Sequence, residues 1–260
     1  TTGLIVEGAR PNVQQCAAFK DGLVEVQDEG SALLVELLYP QPGDLIIDAC
    51  AGAGGKTLAI AARMQGEGDL IALDNRPSAL KELDRRAARA GVRVRSMPIR
   101  QVGELPKRVA AMKGKADRVL LDVPCSGSGA LRRRPSLGSP ADDLVEAHVV
   151  MQGSLLRHHA PLVRPGGLLV YATCSVFHEE NDLVVGDFLA SDAGADFAVV
   201  PPAELLGAER AAQLGADLYL RLLPHRHGTD GFFGAALRRA GNAEVSSGVQ
   251  TLKPSSDARG

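Results

Sequence analysis

Cys125 and Cys174 are the residues of this sequence best suited to covalent chemistry. They lie in the segments Asp122-Val123-Pro124-Cys125-Ser126-Gly127-Ser128-Gly129 and Tyr171-Ala172-Thr173-Cys174-Ser175, flanked by Pro, Ser, Thr and Gly rather than by aliphatic side chains. A cysteine among aliphatics is ordinarily a small buried hydrophobe. A thiol with a pKa of about 8.5 becomes a useful nucleophile only where a cation or hydrogen-bond donors stabilise its thiolate. Asp122 brings a carboxylate to the same place if the two loops meet. Of the remaining cysteines, Cys50 lies in a glycine-rich loop, and Cys16, outside every motif, is expected to be a packing residue. No C-x-x-C pair occurs, so neither a disulfide framework nor structural zinc is expected, and a reducing compartment is.

A second group of residues is suited to holding a ligand. Asp48-Ala49-Cys50-Ala51-Gly52-Ala53-Gly54-Gly55-Lys56-Thr57 joins an apolar run to a helical stretch. Its glycines let backbone approach a ligand closely, and the helix start offers free N–H groups. Gly55-Lys56-Thr57 ends as a phosphate-binding loop does, and Val119-Leu120-Leu121-Asp122 would pass for a strand bearing a magnesium-binding Asp. That pattern needs its first glycine at position 50, where Cys50 stands. Asp74 ends the next apolar run, roughly 20 residues beyond the glycines, where a carboxylate accepts hydrogen bonds from both ribose hydroxyls. It would serve equally as a helix cap. The two loops together favour an adenosine-containing ligand without a triphosphate, for which S-adenosylmethionine is the natural candidate. A P-loop-like NTPase is the alternative.

These loops need a scaffold that gathers them. Strand-like runs at 44–48, 69–73, 92–96, 117–121 and 168–172 alternate with helical stretches at 58–64, 78–90, 144–162 and 180–191. Residues 219–223 and 232–237 read as a terminal antiparallel pair. Such alternation predicts a parallel, doubly wound sheet, whose ligands sit beyond the carboxyl ends of the strands. Lys56 would then lie near both thiols. The 260 residues, 45% hydrophobic and 23% charged, suffice for one large α/β domain. A net charge of −2 excludes a uniformly basic nucleic-acid coat but not a local patch. Aromatic residues are 3%, with no Trp, so base-stacking platforms are scarce. No apolar run approaches the roughly 20 residues of a membrane span, and the opening residues are no signal peptide.

Taken in order, DACAGAGGKT, LDNRP, LLDVPCSGSGALRRRP, YATCS followed by Glu179-Glu180-Asn181, and HGTDGFF resemble the Sun/Fmu-type (RsmB-like) family of RNA cytosine methyltransferases, over about residues 26–239. The resemblance implies an α/β, Rossmann-like class I methyltransferase fold, with a doubly wound, seven-stranded, mostly parallel sheet and a C-terminal antiparallel strand. It implies S-adenosyl-L-methionine as cofactor and transfer of a methyl group to carbon 5 of a cytosine in RNA, ribosomal RNA above all, through a covalent cysteine–cytosine adduct. Carbon 5 is a poor nucleophile, so a thiolate must first add to carbon 6. By resemblance Cys174 makes that attack, Cys125 assists release, Asp122 meets the cytosine N3 edge and Lys56 is a second contact. Chemistry alone leaves the two cysteine roles exchangeable. The cofactor is expected over Cys50, Ala51, Gly52, Ala53, Gly54, Gly55 and Lys56, with its ribose on Asp74 and with Asp122 nearby.

Two positions depart from the family's pattern. Pro98 stands where an Asp usually meets the adenine, a loss of about 1.5–3 kcal/mol in one charged hydrogen bond. Ser136-Leu137-Gly138-Ser139-Pro140 lacks a polar-plus-Trp segment. A degenerate RNA-binding scaffold without activity is the further alternative, supported by Pro98 alone. Arg132, Arg133 and Arg134 are expected to hold RNA phosphates, although such a run is as often a solvated surface. His227 to Asp230 is expected to close the cleft. Residues 1–30 are read as an extension linking to an RNA-binding domain outside this chain, 31–240 as the catalytic domain and 241–260 as a disordered tail. No His pair has the partners a metal site requires. The expected protein is a cytoplasmic monomer acting on RNA, without metal or membrane.

Overall fold

The computed structural model describes residues 3–4, 12–100, 105–133, 135–138 and 140–241. Arg134 and the expected tail beyond Gly241 lie outside these residues. Eight strands form one sheet: β1 (Leu45–Asp48), β2 (Asp69–Asp74), β3 (Arg95–Pro98), β4 (Ala116–Asp122), β5 (Val163–Thr173), β6 (Phe197–Val200), β7 (Leu220–Leu222) and β8 (Phe232–Arg239). Their order is β3-β2-β1-β4-β5-β8-β6, with β7 also on β8. The first five strands are parallel, and β8 runs antiparallel to β5, β6 and β7. This is the expected doubly wound sheet with its C-terminal antiparallel strand, to which β7 adds a short hairpin partner.

The central segments, Ile46–Ile47 of β1, Val119–Leu121 of β4 and Leu168–Ala172 of β5, are continuous apolar runs because both faces are covered. Successive side chains alternate between the faces. Ile47, Val119 and Leu169 pack on one side with Leu155, Leu156, Val185 and Phe188, from the helices Asp142–His159 and Val184–Leu189. Ile46, Leu120 and Val170 pack on the other with Leu34, Leu37 and Ile60, from the helices Glu29–Leu38 and Gly55–Arg63. A further helix, Pro77–Arg89, seats Leu80 and Leu83 against Ala51 of the glycine-rich segment and Leu58 of the helix that follows it. Each fully buried Leu contributes roughly 1.5–3 kcal/mol.

The structure differs from the sequence reading in several places. The helix Glu29–Leu38, capped by Asp28 accepting from the Gly30 amide at 2.9 Å, precedes the first expected element. Pro165-Gly166-Gly167, residues that by type favour a turn, lie within β5, where Gly166 has φ 72 and the register with β4 shifts. The last predicted helix starts as a π-helical turn, Glu179–Leu183. Cys16, expected to pack, is exposed. No helix among the described residues is long and apolar enough to cross a membrane.

Candidate active site

The strand order reverses between β1 and β4, so the loops leaving their carboxyl ends diverge and open a crevice. A cavity of about 720 Å³ lies there, lined by Cys50, Lys56, Asp74, Asp122, Cys125 and Cys174 among others. The backbone of the glycine loop forms one wall. Gly54, with φ 86, turns against Leu83 and caps the following helix, and an L side chain would meet Leu83 at 2.8 Å. A larger cavity of about 860 Å³, at the amino ends of β2 and β3, gathers no thiol.

The cofactor-side residues are tightly organised. Asp74 accepts the Gly52 amide at 2.8 Å, the Arg76 amide at 2.8 Å and Arg76 Nε at 3.0 Å. Burial pushes its carboxyl up, but the hydrogen bonds from Arg76 and Gly52 outweigh that and leave it below the usual range. It does not cap the Pro77–Arg89 helix, whose N-cap is Arg76. An ionised, pre-oriented acid at the end of β2 fits a ribose diol. Thr57 is buried and donates to Asp48 Oδ2 at 2.7 Å. Its hydroxyl is therefore committed, where a phosphate-binding loop would present it to magnesium. Lys56 Nζ pairs with Asp122 Oδ2 at 2.7 Å and lies 5.5 Å from the centroid of the Phe232 ring. Burial, with the Asp122 charge adding to it, pushes Asp48 up to about 7. Burial and the neighbouring carboxylates likewise hold the Cys50 thiol well above its ordinary value.

The loops after β4 and β5 bring Cys125 Sγ to 3.1 Å from Cys174 Sγ. The two sulfurs differ electrostatically. The hydrogen bond to Cys174 and burial hold Cys125 well above the usual thiol range, with the Glu180 charge adding to both. Cys174 is lowered, chiefly by the hydrogen bond from Cys125 and with help from Lys56, against burial and Asp122. Of the two sulfurs, Cys174 is therefore the one on which negative charge is favoured. The loops touch through backbone at Gly129, whose amide donates to the Cys174 carbonyl and whose carbonyl accepts the Gly231 amide, both at 2.9 Å. A Cβ there would come within 2.2 Å of the Gly231 oxygen and 2.7 Å of the Cys174 oxygen. Gly129→Ala is thus expected to force the loops apart and to lose about 1–3 kcal/mol of stability, as measured by urea denaturation. An unchanged midpoint would show that this crossing is slack.

Arg132 and Arg133 are engaged with acids. Arg133 Nε donates to the buried Asp230 at 2.7 Å, and Arg132 lies 3.6 Å from both Asp230 and Asp28. Their side chains remain 48% and 58% exposed, so both also face solvent at the cavity rim. Asp230 reaches the cavity as expected, whereas His227 is spent on the backbone of Leu214 and Leu223. Pro98 pairs with Asp74 in the β2–β3 register, and Ile99, next in sequence, lines the cavity. The sequence reading gave no role to Gln152, Glu180 or Asn181, which lie beneath the thiols. Glu180 and Asn181 stand in the polar run His178-Glu179-Glu180-Asn181-Asp182 and Gln152 in a helix of mixed polarity, so no local contrast marked them.

A family model described as 16S rRNA methyltransferase RsmB/F matches residues 35–238. The probable ribosomal RNA small subunit methyltransferase B of Bacillus subtilis is 36% identical over 86% of this chain and 49% of its own length. The ribosomal RNA small subunit methyltransferase B of Pasteurella multocida is 34% identical over 87% of this chain and 49% of its own. The chain spans about half the length of these relatives. Among solved structures, NSun6 from Pyrococcus horikoshii with SFG superposes with a TM-score of 0.72 at 28% identity, covering 90% of this chain and 57% of that one.

Proposed function

This chain belongs to the RsmB/F family of 16S rRNA methyltransferases, and on that premise we propose that it transfers a methyl group from S-adenosylmethionine to carbon 5 of a cytosine in ribosomal RNA. The observation that carries the reading is the pair of sulfurs 3.1 Å apart, one of them facing Lys56, in the cavity that also holds Asp74 and the glycine loop. The related NSun6 structure contains SFG, an analogue of S-adenosylmethionine, which supports the choice of cofactor.

Asp74 would receive the cofactor's ribose hydroxyls, and the backbone from Cys50 to Lys56 would lie along the rest of it. When bound, S-adenosylmethionine supplies an electrophilic methyl group on a sulfonium. The Cys174 thiolate adds to carbon 6, and its electron pair raises the density at carbon 5. Lys56 and Asp122 are suited to meet the cytosine's polar edge and to stabilise the charge that develops there. After transfer, carbon 5 loses its proton, and the electrons of that bond expel Cys174. Capture of Cys174 as a thioether removes the main cause holding Cys125 above the usual thiol range. Cys125 then loses its own proton more readily, and its thiolate is the form that can accept the proton from carbon 5.

Calorimetric titration with S-adenosylmethionine tests the cofactor, with ATP and magnesium as the comparison. Saturable binding is expected, weakened on the order of 100-fold in Asp74→Ala through the loss of two charged hydrogen bonds. Tight ATP binding with no response to S-adenosylmethionine would overturn the reading.

A further inference from the structure

Beneath the two thiols lies a polar layer that touches neither sulfur. Glu180 and Asn181 are 0% and 2% exposed. Glu180 Oε1 accepts the Ser126 amide at 2.8 Å and Gln152 Nε2 at 3.0 Å, and its Oε2 accepts the Ser126 hydroxyl. Gln152 Nε2 also donates to the Pro124 carbonyl at 2.9 Å. The residues on either side of Cys125 are thus both tied to the Glu180–Gln152 pair. Asn181 does the same for the other loop: its Oδ1 accepts Thr173 Oγ1 at 2.6 Å, and its Nδ2 donates to the Ser175 carbonyl at 3.0 Å. Thr173 and Ser175 flank Cys174. The turn carrying both residues is pinned to β5 by Tyr171, whose hydroxyl donates to the Glu180 carbonyl at 2.6 Å.

We propose that Glu180 and Asn181, neighbours on one π-helical turn, are positioning residues that set the distance between the two thiols, one through the residues flanking Cys125 and the other through those flanking Cys174. This rests on the reading that both sulfurs work. Burying a carboxylate is costly unless its oxygens are satisfied, and here Glu180's carboxylate accepts hydrogen bonds from Ser126 and Gln152, with His148 Nδ1 4.0 Å from Oε1. Consecutive side chains of one turn reach two different loops, and π-helical turns recur at functional sites. A proton shared between two sulfurs, and an attack that must leave one of them free, both depend on spacing, and misplacement by about 1 Å can cost on the order of 100-fold in rate.

The spacing is measured without RNA or cofactor, using oxidised glutathione. The Cys174 thiolate attacks one glutathione sulfur and releases glutathione as a thiolate, which leaves a mixed disulfide. Cys125, deprotonated, then displaces the second glutathione and closes a Cys125–Cys174 bond. Two protein thiols supply two electrons, and one oxidised glutathione becomes two reduced ones. In the wild-type protein closure should be fast, so that intact-mass analysis finds little mixed disulfide. Glu180→Gln puts an amino group against donors from Ser126 or Gln152, and Asn181→Asp puts a carboxylate oxygen against the Ser175 carbonyl. Each should slow closure about tenfold or more and let the mixed disulfide accumulate.

Glu180→Gln should also lower kcat for methyl transfer while leaving calorimetric affinity for S-adenosylmethionine unchanged, a split that general loosening would not produce. If either variant fails to fold, Ser126→Ala and Thr173→Val remove the hydroxyl contacts to Glu180 and Asn181 from the loop side. Wild-type closure rates in the folded variants overturn the proposal. A wild-type protein that closes fast, is slowed by these changes and yet transfers no methyl group leaves the positioning role standing and sinks the functional reading instead.

Discussion

Cys125→Ala, incubated with S-adenosylmethionine and unmethylated small-subunit ribosomal RNA, is expected to accumulate a protein–RNA adduct that survives denaturation and migrates as a shifted band on a denaturing gel. The Cys174 thiolate still attacks carbon 6, and the missing thiol is the one suited to help the adduct resolve. Turnover should fall by about 10²–10⁴-fold, the usual range for loss of an acid–base partner. Cys174→Ala should lose turnover by on the order of 10⁴-fold or more, as removal of a nucleophile does elsewhere, and should form no adduct. Adding Cys174→Ala to Cys125→Ala should abolish the shifted band. The two resting sulfurs support this division of labour, because Lys56 favours charge on Cys174 and Glu180 opposes it on Cys125. An adduct that persists in Cys174→Ala and vanishes in Cys125→Ala would exchange the two roles.

Asp48→Asn is expected to change how stability depends on pH. Burial, helped by the Asp122 charge, holds the folded-state pKa at about 7, up from an ordinary 3.8. Between these values the folded chain keeps a proton that the unfolded chain has released. Stability must therefore fall as pH rises from about 4 through about 7, then level off. The full shift corresponds to up to about 4 kcal/mol. Asn has the same shape, still accepts the Thr57 hydroxyl, and never ionises. Neither residue has a partner at the second position, since Asp48 Oδ1 is buried without a hydrogen bond. The variant should match the wild type near pH 4 and exceed it in urea midpoint near pH 8. Parallel pH profiles for the two proteins would show that Asp48 is ionised in the folded chain.

The parts of the fold that sequence reading recovered are those where burial on both faces leaves a continuous apolar run. β1, β2, β4 and β5 fall within a few residues of their predicted positions for that reason. β3, at the sheet edge, has the sequence Arg-Ser-Met-Pro and is only half-buried, so neither a run nor a clean alternation marks it. β6 is short, and β8 covers it, an antiparallel pairing, from Phe197 with Arg239 to Val200 with Ala236, that no local pattern announces. Pro165 and Gly166 read as a turn because their conformational preferences are local, whereas the irregular register inside β5 is set by β4. In the site, the glycine loop, Asp74 and both cysteines were legible because their side chains are chemically specific and sit at strand ends. Glu180 and Gln152 were not, because they act on a loop 54 and 28 residues away, and Asn181 was not, because its bonds to Thr173 and Ser175 exist only once the chain turns back after β5. The arginines at 132 and 133 were read as free charges, and only the folded chain brings Asp28 and Asp230 to them.

The site is closed by contacts between segments far apart in the chain. The Asp230 amide donates to Asp28 at 3.3 Å across 202 residues of sequence, and Gly30 lies so close to the Phe232 ring that a Cβ would come within 2.5 Å of it. A polypeptide leaving the ribosome thus displays both thiols well before β8 exists to pair with β5. Throughout that interval β5, apolar on both faces, is an open edge able to capture another nascent strand. Synthesis of the last strand therefore ends a period of exposure and creates a binding cavity in one event. Copies interrupted before Phe232 lack both the strand that covers β5 and one wall of the cavity.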